Sequence, residues 1–268
     1  MKKILFFGAM CAAMLLASCD SKEEGTINGV FSVSETKQVK FSSGNLQYSK
    51  TVGTLQFAEH QWVILGEEHV DWDEKDVFDM FGWGTGNKPT YERCEDEAQF
   101  VDWGTQPIMN GGGYQWRTLT AEEWQYVVMD RPNAINLIAY GTVEGAKGII
   151  LLPDAWEQPS DVQFTSLADT AKVTSSSIDV KNISDETDLT SINVYDAATW
   201  EKMETAGAVF LPLTTWSFSD DGKPTEGEYW STSDDYMSIS LASIWPARGC
   251  TVSAFEMAVR LVKDVVKE

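Results

Sequence analysis

Two short apolar runs, each ended by a proline, constrain the fold of this 268-residue chain more than any other feature. They are "GIILLPDAW" (148–156) and "GAVFLPLTTW" (207–216), and each follows a stretch that contains a tryptophan in a helical pattern. Four consecutive apolar residues are typical of a buried strand, and proline ends such a strand because it donates no backbone hydrogen bond. The repetition predicts two related pieces of one core, although two copies do not make a solenoid.

Two segments predict the helices that pack on these strands. In "WRTLTAEEWQYVV" (116–128), Thr120 and Glu123 have the spacing of a capping box, which predicts a helix over 121–129 with Trp124 on its buried side. The second helix is predicted in "DAATWEKMETAG", which carries Trp200. The chain has 11 tryptophans, and we expect most of them to be core anchors whose indole N–H reaches a backbone partner.

Alternating segments predict the remaining strands. A hairpin is expected around "LQYSKTVGTLQF" (46–57), and further strands in "EYWSTS", "YMSISLA" and "EMAVRLVKD". Short strands with two helices predict an α+β domain, placed at residues 28–268. Residues 157–193 are rich in Ser, Thr and Asp, which predicts a long surface loop with one strand at most.

The acidic stretch that begins "DWDEKD" (71–76) allows two interpretations. Asp71, Asp73 and Asp76 resemble calcium ligands, but their spacing departs from the EF-hand order and lacks its glycine. Acids at the start of a short helix explain them better, and the aromatic, glycine-rich residues up to 89 are then a loop.

The N-terminus has the pattern of an export signal. Lys2 and Lys3 precede thirteen uncharged residues (4–16) and then "ASC", so we expect a signal peptide at 1–18. "LASC" resembles a lipobox, which implies cleavage before Cys19 and acylation of that residue; the alternative is an ordinary secretory signal that contains a cysteine. Several acyl chains would anchor the protein durably in a membrane.

Charge excludes one class of partner. Removal of Lys2 and Lys3 from the chain's 20 Lys and Arg leaves 18, against 41 Asp and Glu. Nucleic acid is therefore not expected as a partner, because phosphate contacts require a basic face. The residues after Cys19, "DSKEEG", predict an acidic tether over 19–27 and resemble the signal that sends lipoproteins of the Bacteroidetes to the outer face of the outer membrane.

Few residues could hold a metal or a disulfide. Beyond Cys11 and Cys19 only Cys94 and Cys250 remain, and they either form one disulfide or are two separate thiols. His60 and His69 are the only histidines, so a zinc site is not expected and we assign no cofactor.

A series of short motifs occurs in a specific order. These motifs are "FGWGT" (81–85), "DWG" (102–104), "NGG" (110–112), "WRTLTAEEW" (116–124), "GIILLP" (148–153), "AGAVFLP" (206–212), "YWSTS" (229–233) and "VRLVKD" (259–264). In this order the chain resembles the formylglycine-generating enzyme branch of the C-type lectin-like superfamily. It is most similar there to the non-enzymatic Fibrobacter-type major paralogous domain group. The resemblance spans about residues 31–264 and implies a single C-type lectin-like domain.

The resemblance argues against catalysis. The superfamily's enzyme oxidises a cysteine with a pair of cysteines near its C-terminal end, and this chain has only Cys250 there, in "ARGCTVSAF". A fold by itself warrants no chemistry. We therefore expect a non-catalytic protein, with an oxidase-like relative as the weakest alternative.

The resemblance also points to a binding surface, because ligands of the superfamily meet the C-terminal loops and some relatives are diversified by retroelements after "YWS". Residues 242–256 interrupt strand alternation, so we expect a loop there that varies without loss of the core. The candidate ligand-binding residues are Asp234, Asp235, Tyr236, Trp245, Arg248 and Phe255. Aromatic and arginine side chains favour binding. Ordinary loop packing, with Trp245 and Pro246 against the core, is the alternative.

Two function classes follow. The first is a ligand-binding or adhesion module for a glycan or protein, displayed as an outer-membrane lipoprotein. The second is a structural scaffold subunit of a surface complex.

The lipobox generates the first prediction. Intact-mass analysis of the membrane-extracted protein should give a mature chain that begins at Cys19 and carries acyl groups. A Cys19→Ser variant is the control and should lose the acyl mass. A mature N-terminus elsewhere, or an unmodified Cys19, would contradict the assignment.

Overall fold

Strands outnumber helices in the part of the chain that the computed structural model describes, residues 23–65, 75–94, 96–180, 189–215, 224–233, 235–249 and 256–266. The α-helices there are α1 (Ala121–Gln125) and α2 (Ala197–Thr205). The strands are β1 (Phe31–Ser32), β2 (Gln38–Phe41), β3 (Leu46–Ser49), β4 (Thr54–Phe57), β5 (Val77–Phe78), β6 (Met80–Gly82), β7 (Ile138–Val143), β8 (Ala146–Leu151), β9 (Ala171–Val173), β10 (Ile178–Val180), β11 (Val194–Tyr195), β12 (Val209–Pro212), β13 (Glu226–Trp230), β14 (Asp235–Ser240), β15 (Ser243–Gly249), β16 (Glu256–Ala258) and β17 (Val262–Asp264). Short 3-10 turns occupy Glu97–Gln99, Trp103–Thr105, Ala134–Asn136 and Leu189–Ser191. The predicted α+β class with two helices is confirmed.

The described strands form four sheets. The largest has seven strands in the order β6-β16-β13-β14-β15-β10-β9, and a four-stranded sheet has the order β11-β7-β8-β12. Two three-stranded sheets have the orders β1-β2-β17 and β4-β3-β5. The predicted hairpin at 46–57 is confirmed as β3 and β4, with Tyr48 opposite Leu55 and Gly53 in the turn at φ 71°. A positive φ favours glycine at that position.

The two proline-ended apolar runs pair directly with each other. β8 and β12 are antiparallel neighbours, with Val209 opposite Leu151 and Phe210 opposite Ile150, and all four side chains are fully buried. Leu151 and Val209 belong to the main core, whereas Ile150 and Phe210 belong to the cluster around Trp200. Both faces of this sheet are therefore buried, which explains why the runs have no polar alternation.

The predicted capping box starts α1. Thr120 Oγ1 accepts from the Glu123 N–H at 3.1 Å, and the Glu123 carboxylate accepts from the Thr120 N–H at 3.1 Å. The helix continues as a π-helical turn over Tyr126–Asp130, so the predicted extent to residue 129 is close. Arg117 joins this start to β17, because its guanidinium bonds both oxygens of Glu123 and lies 2.8 Å from Asp264 Oδ1.

Three buried tryptophans hold the end of β13. Trp124 Nε1 donates to the Trp230 carbonyl at 3.3 Å, and Trp83 Nε1 donates to the Ser231 carbonyl at 3.2 Å. Trp230 Nε1 in turn donates to the Phe81 carbonyl at 2.6 Å. We call Trp83, Trp124 and Trp230 the tryptophan joint. It ties α1 and β6 to β13 through hydrogen bonds between buried indoles and buried backbone carbonyls.

The expectation that indole N–H groups reach the backbone holds for some tryptophans and not for others. It is confirmed for the tryptophan joint and for Trp116, whose Nε1 donates to the Gly111 carbonyl at 3.0 Å. It is wrong for Trp103 and Trp200, whose buried Nε1 atoms have no hydrogen-bond partner among the described residues.

Polar residues of the quoted motifs tie loops to strands. Asp102 of "DWG" accepts from the Gly104 and Thr118 N–H groups, both at 2.9 Å. Asn110 of "NGG" accepts from the Phe57 N–H at 2.7 Å and donates to the Phe57 carbonyl at 3.0 Å. These motif residues therefore act as framework, which accounts for their chemistry without a catalytic role.

A buried arginine connects the end of the domain to its beginning. Arg260 is fully buried, and its Nη1 and Nη2 donate to Asn45 Oδ1 at 3.3 Å and to Gln61 Oε1 at 2.7 Å. Burial lowers the pKa of Arg260 to about 10. Side-chain amide oxygens solvate the guanidinium in place of water.

The helix predicted at the start of 71–89 is wrong in the described residues, because 75–89 contain β5 and β6. Asp76 does not cap a helix. Its carboxylate accepts from the Thr51 N–H at 2.6 Å and from Ser49 Oγ at 3.2 Å, which fastens β5 to the turn after β3. These hydrogen bonds, chiefly those from Thr51, hold the pKa of Asp76 below its usual value. Asp71 and Asp73 lie outside the described residues.

The start of the domain and the content of one predicted loop also differ from expectation. Residues 23–27, assigned to the tether, belong to the domain, since Thr26 and Ile27 are fully buried and Glu23 bonds Lys40 and Lys263, each at 3.1 Å. The predicted loop at 157–193 contains two short strands in its described part, β9 and β10, where the sequence suggested one at most. No helix among the described residues has the length and apolar character to cross a membrane.

The early start of the domain generates a stability prediction. A fragment 28–268 should unfold at lower urea concentration than a fragment 23–268, because it lacks Ile27, whose burial contributes about 1.5–3 kcal/mol. A fragment 20–268 is the control and should match 23–268. Equal stability of 28–268 and 23–268 would show that these residues do not belong to the domain.

Candidate functional site

The candidate binding residues that the structure describes lie on one hairpin. Asp235 and Tyr236 begin β14, and Trp245 and Arg248 lie on β15, its antiparallel neighbour. Of the other site residues named from the sequence, Cys19, Asp234 and Phe255 lie outside the described residues.

The loop predicted at 242–256 is wrong in its first half, because Ser243–Gly249 form β15. The connection to β14 is a tight turn, in which Ser240 Oγ accepts from the Ser243 N–H at 3.1 Å. Alternation resumes after this turn: Ile244 is buried, Trp245 is exposed and Pro246 is buried. The alternative in which Trp245 and Pro246 both pack inward therefore holds for Pro246 and not for Trp245.

A bulge explains why the alternation of β15 was not recognised. Tyr236 lies opposite Arg248 and Ser238 opposite Trp245, so Pro246 and Ala247 together face Met237 alone. Proline suits a bulge because it has no N–H for the ladder. The extra residue brings Trp245 and Arg248 to the same face of the hairpin, although they are three positions apart.

Trp245 and Arg248 form the exposed part of that face, which we call the hairpin surface. Trp245 is 38% exposed, and its Nε1 donates to Ser243 Oγ at 2.9 Å. The Arg248 guanidinium lies 6.0 Å from the centroid of the Tyr236 ring, and Nη1 lies 3.5 Å from Ser238 Oγ. An arginine over an aromatic ring is held in place while its remaining donors can reach a ligand.

Tyr236 lies beneath this surface and offers little contact area of its own. It is 7% exposed, and its ring meets that of Trp230 at 6.4 Å in an edge arrangement. Tyr236 therefore lies between Trp230 of the tryptophan joint and Arg248 and supports the guanidinium. Ser238, 3% exposed, is a supporting residue that sequence reasoning missed, although the alternation of "YMSIS" had placed it on this side.

The opposite face of the hairpin is core. Met237, Ile239 and Ile244 are fully buried in the main hydrophobic cluster. Asp235 is half-buried, and its carboxylate accepts from Ser233 Oγ at 3.2 Å. Its backbone carbonyl accepts from Ser231 Oγ at 2.8 Å. These bonds fix the entry into β14 directly after the tryptophan joint.

Two further kinds of site, metal-binding groups and cysteine thiols, were considered in the described part of the chain. No group of three His, Cys, Asp or Glu side chains there is placed to hold a metal ion. Cys94 is half-buried against the aromatic cluster that contains Trp83 and Trp103. Cys250 lies outside the described residues, so the choice between a disulfide and two thiols stays open.

Comparison with known proteins adds no assignment: no family model, no curated protein and no solved structure matches the chain.

Proposed function

We propose that this chain is a non-catalytic ligand-binding or adhesion module of a surface lipoprotein, held at the outer membrane by an acylated Cys19. Its fold is then the C-type lectin-like arrangement that the ordered motifs suggest. The membrane placement rests on "LASC" and on the acidic residues that follow it.

One observation carries the binding proposal: Trp245 and Arg248 are exposed side by side on a hairpin whose other face is buried. A large indole and a guanidinium provide contact area and directional donors at small cost in side-chain entropy. The ligand is a glycan or a protein, since the exposed pair can stack on either and bond carboxylates or hydroxyls. A rigid support below the pair lowers the entropic cost of binding.

Cysteine usage supports a non-catalytic role. The resemblance implies two neighbouring cysteines for an oxidase, and Cys250 has no second cysteine near it in sequence. Activation of a thiolate would also require a basic neighbour, and Arg248 is the sole candidate close to Cys250 in sequence.

The hairpin surface is tested with paired variants. The fragment 20–268 is screened against glycan and surface-protein arrays, and each detected protein or charged glycan is measured again with Trp245→Ala/Arg248→Ala. Affinity should fall at least about tenfold, as expected when a central aromatic and an arginine are removed. The free energy of unfolding should change by less than about 0.5 kcal/mol per exposed site.

Tyr91→Ala/Lys37→Ala is the matched control, because it removes an exposed aromatic and an exposed cation elsewhere. It should leave binding unchanged. Full binding by the Trp245→Ala/Arg248→Ala variant would show that the hairpin surface is not the binding site. A large drop in melting temperature in Trp245→Ala alone would show that Trp245 serves packing instead. No ligand in either screen would favour the scaffold class.

A further inference from the structure

A groove that shares no residue with the hairpin surface is a second candidate binding site. Two adjoining cavities of about 550 and 300 Å³ share Gln106 and Pro107 along their common edge. The larger is lined by 104–108, Gly111 and 113–116, and the smaller extends to Tyr48 and Asn87. We call them together the neutral groove. Both volumes lie within the range of about 300–1,000 Å³ that is typical of small-molecule sites.

The neutral groove stands out by its charge. None of the described residues that line either cavity is charged, although 23% of the chain is Asp, Glu, Lys or Arg and the net charge is −21. Among these lining residues an anion finds no cation and a cation finds no carboxylate. Lys263, whose Nζ lies over the Tyr114 ring, is already paired with Glu23. The lining therefore favours an uncharged ligand.

The polar side chains of the groove are amides and hydroxyls. Gln106, Gln115 and Asn87 each present a carbonyl acceptor and an NH₂ donor, and Thr54 and Thr105 add hydroxyl groups. A ligand that both donates and accepts at many positions, as the hydroxyls of a sugar do, matches this set.

Aromatic rings complement these amides. The half-buried Tyr48 and Tyr114 line the groove and supply the aromatic contact area. Trp116 is 4% exposed and donates to the Gly111 carbonyl, so it is a fixed part of the wall. Aromatic faces pack well on apolar C–H surfaces while polar neighbours bond the hydroxyl edge. This combination is the chemistry of a sugar site.

The walls of the groove are held in place before any ligand arrives. The Met109 N–H donates to the Leu55 carbonyl at 2.8 Å, which fastens the segment after Ile108 to β4. Gly104 packs so tightly that a Cβ there would lie 2.3 Å from the Trp116 backbone. The Tyr114 ring is covered by Lys263 Nζ at 3.4 Å from its centroid, and Lys263 is itself paired with Glu23. A preformed site of this kind loses little entropy on binding.

We infer that the neutral groove binds an uncharged oligosaccharide through Gln106, Tyr114 and Gln115. The groove shares no lining residue with the hairpin surface, so this inference does not depend on the proposed function. Trp245 and Arg248 then contact a protein or a charged glycan, and not the neutral sugar.

Calorimetry on the full protein tests the inference, in a detergent without a sugar head group. The probes are maltohexaose, cellohexaose, xylohexaose, mannohexaose and laminarihexaose, with hexagalacturonate as the charged counterpart. At least one neutral hexasaccharide should bind with a Kd of about 1 mM or tighter, and hexagalacturonate should not. Gln106→Ala/Tyr114→Ala/Gln115→Ala should weaken binding at least about tenfold.

Gln125→Ala/Tyr126→Ala at α1 is the matched control and should bind as the parent does, as should Trp245→Ala. If the triple variant melts early, Gln115→Ala alone, which alters an exposed side chain, decides the question by a loss of affinity. Three results would overturn the inference: no neutral probe binds the parent, hexagalacturonate binds as well, or binding survives the groove substitutions. Loss of sugar binding in Trp245→Ala would likewise overturn it, because the sugar would then contact the hairpin surface.

Discussion

The hydrogen bonds from buried indoles to the backbone at Trp230 and Ser231 are the constraint on which the rest of this structure depends. They join α1, β6 and the end of β13 at the point where the chain turns into β14. A buried donor or acceptor left without a partner costs about 1–3 kcal/mol, so each of these bonds ties the position of one element to that of another. The position of the hairpin relative to the core follows from these bonds.

One face of the hairpin is part of the core, and the other carries the proposed binding surface. Met237 and Ile239 are part of the main core, while the opposite side rises from the tryptophan joint through Tyr236 to Arg248. The bulge at Pro246 and Ala247 brings Trp245 to that same side. Exposed residues there can vary while the buried face preserves the register. The neutral groove obeys a related rule, since its shape is fixed by backbone bonds and a buried tryptophan.

Local signals in the sequence predicted local structure. The capping box of Thr120, the hairpin around Gly53 and the buried runs of β8 and β12 each depend on residues close in sequence, and each is present. The strand β15 was missed because a bulge masks its alternation, and β5 was missed because its partner, β3, is distant in sequence. The neutral groove was missed for the same reason, as its walls come from residues near 48–55, 86–89 and 104–116.

The central claim is tested most directly by comparing Trp124→Phe with Trp200→Phe in urea unfolding. Both indoles are fully buried, but Trp124 Nε1 donates to the Trp230 carbonyl, whereas Trp200 Nε1 has no partner in the described part of the chain. The two variants lose a similar volume, so the difference between them reports the hydrogen bond and the carbonyl left behind. Trp124→Phe should lose about 1–3 kcal/mol more than Trp200→Phe. Equal losses, or a larger loss in Trp200→Phe, would contradict the dependence of the structure on the tryptophan joint.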